Sequence, residues 1–118
     1  MKGFGLVIEE LDAGAVRIAL RGELDLAHAY TFDEELRRVE GSGPPCIVID
    51  LRELTFLDST GLARLLAARK RARRAGHRLV IVRGNPTVQR LFALCAVDET
   101  FEIVNQVPVM APSGHPPA

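Results

Sequence analysis

The sequence has no tryptophan and one tyrosine, and aromatics make up only 5% of its 118 residues, so any core must be built mainly from aliphatic side chains. Cysteine is equally scarce. Cys46 and Cys95 lie far apart with no CxxC spacing, so reduced, buried thiols are expected rather than a disulfide framework. His28, His77 and His115 show no metal-ligand spacing. No apolar run approaches the ~20 residues that cross a bilayer. Residues 1–11 carry one Lys and two Glu and no apolar h-region, so no secretion signal is read there and a cytoplasmic protein is expected. Acidic residues are missing from one long stretch. Residues 59–95 hold nine basic side chains and no Asp or Glu, net +9.

What is present balances that stretch. Residues 1–58 carry twelve acidic and six basic side chains, net −6, residues 96–118 add net −3, and the whole chain is formally neutral. Neutrality argues against a generally basic nucleic-acid binder and against an acidic tail protein. Apolar residues make up 47% of the chain, enough to exclude disorder of the whole and to supply the core of one ordinary domain. A domain of this length buries roughly two-thirds of its unfolded surface.

Residues 4–10 read as a strand ending in the turn Asp12-Ala13-Gly14. Val16, Ile18 and Leu20 alternate with Arg17, Ala19 and Arg21, the period of a half-buried strand. The two predict a hairpin. Ala29, Phe32, Leu36 and Val39 fall at helical spacing, with the helix expected to start near Ala27 and to stop before Gly41-Ser42-Gly43-Pro44-Pro45. Residues 46–51 form a short apolar run, the signature of a strand covered on both faces. A long helix is expected from Ser59 to Ala75, stopped by Gly76. Residues 78–82 read as another buried strand, Asn85-Pro86 opens a helix, and residues 101–104 read as a last short strand. Helices between buried strands require parallel crossovers. The expected fold is therefore α/β: a single mixed sheet of four or five strands with an antiparallel N-terminal edge hairpin, a parallel remainder and helices packed against it. Residues 1–104 form the domain. Four of seven prolines fall at Pro108, Pro112, Pro116 and Pro117, so residues 105–118 are expected to be a flexible tail.

In a parallel sheet, ligands and partners meet the C-terminal strand ends and the helix N-termini facing them. Two segments are expected to converge there: Gly22-Glu23-Leu24-Asp25, and Phe56-Leu57-Asp58-Ser59-Thr60-Gly61-Leu62. Asp58 or Ser59 is the N-cap of the long helix, and the unpaired amides behind it favour an anion. Ser59 reads in two ways, as a capping hydroxyl alone or as an exposed hydroxyl open to a kinase. A phosphate there gains from the helix amides and is opposed by Asp58.

Asp58-Ser59-Thr60-Gly61-Leu62 is similar to the D-S-[ST]-G-L motif of STAS domains, in particular the bacterial anti-sigma factor antagonists. Gly22-Glu23-Leu24-Asp25 resembles the family's G-[ED]-L-D element. Ile49-Asp50-Leu51 with Phe56-Leu57-Asp58 resembles its third strand and loop, and Gly84-Asn85-Pro86 through Leu94 its later helix. The resemblance covers about residues 4–104. It implies a partner switch without catalytic activity or cofactor. The unphosphorylated protein binds an anti-sigma factor that is itself an ATP-dependent serine kinase, which frees the sigma factor. The kinase phosphorylates Ser59, with Thr60 a second acceptor, and a PP2C-type phosphatase resets the switch. Partner contacts are implied for Glu23, Asp25, Asp58, Ser59, Thr60 and Gly61. A STAS subunit of a membrane lipid-transport ATPase complex is the alternative with the same fold. Relatives commonly end in a further helix, which the Pro-rich C-terminal segment of this chain is not expected to form.

Three weaker readings stand beside this one. Glu23, Asp25 and Asp58 make a sparse carboxylate set for a divalent metal, without fixed ligand spacing. A hydrolase centred on Ser59 has only His28 near the rim and no oxyanion loop. Arg69, Lys70, Arg71, Arg73 and Arg74 crowd the far end of the long helix and read as a solvated basic face or as a surface for an acidic partner, with no aromatics nearby for base stacking.

Overall fold

The computed structural model describes residues 3–110. Five strands form one sheet: β1 (Phe4–Glu10), β2 (Val16–Leu24), β3 (Cys46–Leu57), β4 (Arg78–Val82) and β5 (Glu102–Val104). They lie side by side in chain order. β1 and β2 are an antiparallel hairpin, while β2–β3, β3–β4 and β4–β5 are parallel. Helices α1 (Ala29–Gly41), α2 (Ser59–Ala75) and α3 (Pro86–Leu94) make the three crossovers. Each crossover steps one strand in the same direction, so the right-handed rule places all three helices on the same face.

The main core fills that face. Ile18, Leu20, Ile47, Ile49 and Ile81 from the sheet meet Phe32 and Leu36 of α1, Leu62 and Leu65 of α2, and Phe92 of α3. β3 is buried along residues 46–51 on both faces. The second cover is not a helix. Val48, Val80, Val82, Ala15 and Cys46 form a smaller cluster on which Leu11, Val104, Val107 and Met110 pack. Part of the expected tail thus lies against the sheet. Residues 105–110 form no helix, and residues 111–118 fall outside the described residues.

Two expected boundaries move. α1 begins at Ala29 rather than near Ala27, because the turn before it belongs to Asp25: the amides of His28 and Ala29 donate to the Asp25 carbonyl at 3.1 and 2.9 Å. β3 runs six residues beyond Leu51, to Leu57. Its second half stays in the ladder, Glu53 to Leu57 beside Arg21 to Leu24, with register shifts that keep Leu54 and Leu57 facing the core.

One charged residue is buried in the sheet. Asp50 is 2% exposed, on the helix-free face. Arg17 reaches its Oδ2 at 2.9 Å, and Arg52 chelates it through Nε at 2.9 Å and through its backbone amide at 3.0 Å. Arg17 also pairs with Glu9 at 3.1 Å. Burial alone pushes the Asp50 carboxyl up, but the hydrogen bonds from Arg52 and Arg17 outweigh it and hold the group below the usual carboxylate range.

Candidate functional site

The site lies where β2 and β3 end and α2 begins. Gly22 shapes the end of β2. Its φ is +82°, and a Cβ there would stand 1.9 Å from the carbonyl oxygen of Gly3, so only glycine fits. The ladder slips between Gly22 and Glu23, and the Glu23 amide donates to Gly3 at 2.8 Å. Leu24 then points into the core and Asp25 emerges on the rim.

Asp58 joins that rim to α2. Its side chain, not that of Ser59, caps the helix: Oδ1 accepts from the Gly61 amide at 2.9 Å. Oδ2 accepts from the Leu26 amide at 3.2 Å. The Asp58 amide donates to the Leu24 carbonyl at 3.3 Å, and its carbonyl accepts from Leu62 at 3.0 Å. All polar groups of Asp58 are therefore occupied, half by α2 and half by Leu24 at the end of β2 and Leu26 just past it. Gly61 permits the close approach, since a Cβ at this position would lie 2.5 Å from the Leu24 oxygen. Ser59, the first residue of α2, is left exposed beside the clamp, and Thr60 is half-buried.

Asp25 is also engaged. Its Oδ1 accepts from the His28 amide at 3.2 Å and lies 2.7 Å from His28 Nδ1. The His28 ring stacks on Phe4, with centroids 5.7 Å apart. Among the described residues no hydrogen bond joins His28 to Ser59, so the Asp25–His28 pair does not address that hydroxyl as the general base of a hydrolase would. Nor do three or more His, Cys, Asp or Glu side chains come together to hold a metal ion among those residues. Glu23 lies opposite Phe56 in the β2–β3 register, at the same end of the sheet.

The rim also exposes Leu26 and Tyr30, which the sequence reading passed over, and Phe56, which it placed in the converging segment without a role of its own. Leu26 is 76% exposed, Tyr30 72% and Phe56 43%. Leu26 follows Asp25, Tyr30 opens α1 just beyond it and Phe56 precedes Asp58 by two residues, so large apolar side chains are exposed at this end of the sheet. The usable signal was position for Tyr30, which falls on the side of α1 opposite its buried Ala29, Phe32 and Leu36; Leu26 lies in the segment before that helix. Asn85 extends the rim toward α3. It caps that helix by accepting from Val88 at 2.9 Å and donates to the Leu54 carbonyl at 3.2 Å.

A sheet of this topology, with helices on one face, has known counterparts. The STAS domain family model matches residues 8–109, and the chain belongs to that family. The anti-sigma-F factor antagonist RsfB of Mycobacterium tuberculosis is 32% identical over 90 residues, covering 76% of this chain and 73% of that protein. The anti-sigma-B factor antagonist of Listeria monocytogenes is 31% identical over 98 residues, covering 83% and 86% respectively. The crystal structure of an anti-sigma factor antagonist from Mycobacterium paratuberculosis matches with a TM-score of 0.81 at 27% identity, covering 89% of this chain and 88% of that one. Among the described residues no helix is long and apolar enough to cross a membrane.

Proposed function

We propose that this protein is a cytoplasmic anti-sigma factor antagonist that works as a phosphorylation-controlled partner switch. Unphosphorylated, it binds an anti-sigma factor with serine kinase activity through the rim of Glu23, Asp25, Asp58, Ser59, Thr60 and Gly61, and so releases the sigma factor. Leu26, Tyr30 and Phe56 supply apolar contact area around these polar groups. The chain itself catalyses nothing; it presents a serine that the partner phosphorylates with ATP and a PP2C-type phosphatase restores. The relatives named as antagonists support this reading.

The observation that carries it is the clamp. Asp58 holds the head of α2 against the segment after β2, and Ser59 projects from that junction into solvent. A phosphate on Ser59 adds about −1.5 to −2 charges at neutral pH. It lands beside Asp58, on the rim that also carries Asp25. Each unit of added charge within ~4 Å of a like charge costs about 1 kcal/mol in water and more where a partner excludes solvent. A tenfold loss of affinity requires only about 1.4 kcal/mol.

Incubation with the candidate kinase and ATP, followed by phosphosite mass spectrometry, tests the reading. Phosphate is expected on Ser59; a kinase that binds yet leaves both Ser59 and Thr60 unmodified would overturn it. Ser59→Ala is expected to bind the kinase like the parent, and Ser59→Asp at least about tenfold more weakly. Equal affinities would exclude an electrostatic block.

A further inference from the structure

A second charged surface lies at the other end of α2, and the rim does not use it. Its last two turns carry Arg69, Lys70, Arg71, Arg73 and Arg74. Arg71 differs from the rest. It turns toward α1 and pairs with Glu40 at 2.8 Å and Asp33 at 3.7 Å. Arg78, at the start of β4, is likewise paired with Glu102, whose carboxyl is held below its ordinary range by the Arg78 hydrogen bonds. Among the described residues, Arg69, Lys70, Arg73 and Arg74 have no carboxylate within ion-pair distance. Lys70, Arg73 and Arg74 are exposed and Arg69 is half-buried.

Their spacing works against the helix. Arg69 and Arg73, and Lys70 and Arg74, are i,i+4 pairs of like charge, which destabilise an isolated helix by a few tenths of a kcal/mol each. The helix dipole compensates cations only in the last turn, which accounts for Arg73 and Arg74 but not for Arg69 and Lys70. Among the described residues no ion pair within the fold offsets Arg69 and Lys70. Beside the cluster runs a groove of about 360 Å³ lined by Arg69, Arg73 and Leu79, together with Glu99 and the Arg78–Glu102 pair.

We propose that this end of α2 is a second docking surface, for a protein segment that carries spaced acidic side chains around an apolar one. The half-buried Leu79 offers the groove an apolar contact that suits a side chain rather than a sugar–phosphate backbone. Glu99 and Glu102 would repel a continuous polyanion crossing the groove. Phe101 is 6% exposed and offers no face for a base to stack on. The surface is independent of the rim. Ten residues separate Ser59 from Arg69, the nearest cation of the set, about 15 Å along the helix and close to two Debye lengths at physiological salt, and Arg73 lies about 21 Å away. A phosphate on Ser59 therefore leaves this site unchanged, and the proposal stands whether or not Ser59 is the switch.

The test is binding of a labelled Glu-rich peptide with interspersed Leu, measured by fluorescence anisotropy at about 0.05 M and 0.5 M salt, beside a random duplex DNA of equal charge. The peptide is expected to bind the full chain at low salt and to be released at high salt. Replacing Arg69, Arg73 and Arg74 by Ala lowers its affinity about tenfold, while Lys at the same three positions retains it within about threefold. Ser59→Asp shifts it by less than about twofold. Thermal melting of the Ala variant, expected at or above the parent's temperature once the like-charge pairs are gone, shows that a lost signal is not lost fold. No peptide binding, equal binding by the triple Ala variant, preference for DNA, or loss on Ser59→Asp would each overturn the proposal.

Discussion

Asp50 and Asp58 lie eight positions apart, one inside β3 and one just past its end, and both have their carboxylates fully engaged. Their partners differ. Asp50 is 2% exposed and is held by two guanidinium groups and one amide on the helix-free face. Asp58 holds backbone amides from two chain segments at the exposed rim. A buried carboxylate between arginines secures the sheet, because removing it strands the cations that surround it. A carboxylate on backbone amides secures a geometry, because the amides it orients belong to the segments that carry the site. The same residue type thus serves the fold in one place and the rim in the other.

Substitution should separate the two roles. Asp50→Ala leaves Arg17 and Arg52 without their common partner; since these are 22% and 46% exposed, the loss is expected to be about 2–3 kcal/mol, below the cost of breaking a fully buried pair. Denaturant unfolding measures it, and Ser59 should remain a kinase substrate. Asp58→Ala removes a helix cap and the tie to Leu26, for about 1 kcal/mol, while Asp58→Asn keeps an acceptor and costs a few tenths. Partner affinity is expected to fall by more than stability in both, which would invert the Asp50 pattern; a purely thermodynamic loss would erase the contrast.

The smallest effect is the dependence on pH. The Asp50 carboxyl titrates lower in the folded chain than in the unfolded one. Its contribution is therefore complete above about pH 5 and is lost as pH falls through about 4 toward the folded value. The stability gap between parent and Asp50→Asn should be widest near neutral pH and narrow below about pH 4. A gap independent of pH would mean that Asp50 acts by packing rather than by charge.

Local signals carried most of the fold. The alternation of Val16, Ile18 and Leu20, the apolar runs at residues 46–51 and 78–82, Gly76 after α2 and Asn85-Pro86 before α3 each mark an element that the structure contains. The convergence of residues 22–25 with 56–62 followed from the rule that parallel strands present their C-terminal ends together. What escaped was non-local. The extension of β3 to Leu57 depends on pairing with the shifted end of β2. Part of the cover of Val48, Val80 and Val82 comes from Val107 and Met110, more than twenty residues beyond β4. Arg71 looked like one of five equivalent cations until Glu40 of α1 was found beside it. In the rim, capping chemistry left Asp58 and Ser59 as equal candidates, and the bond from the Gly61 amide to Asp58 Oδ1 is what assigns the role to Asp58.

The fourfold anchoring of Asp58 has a consequence for how the protein signals. With side chain, amide and carbonyl all bonded to neighbours, the backbone beside Ser59 has no slack to take up when the hydroxyl is modified. The two forms should therefore share one hydrodynamic radius and one scattering profile. They should separate cleanly in an isoelectric gradient, where a formally neutral chain gains close to two negative charges. The message is carried in the electrophoretic coordinate of the molecule, not in its outline.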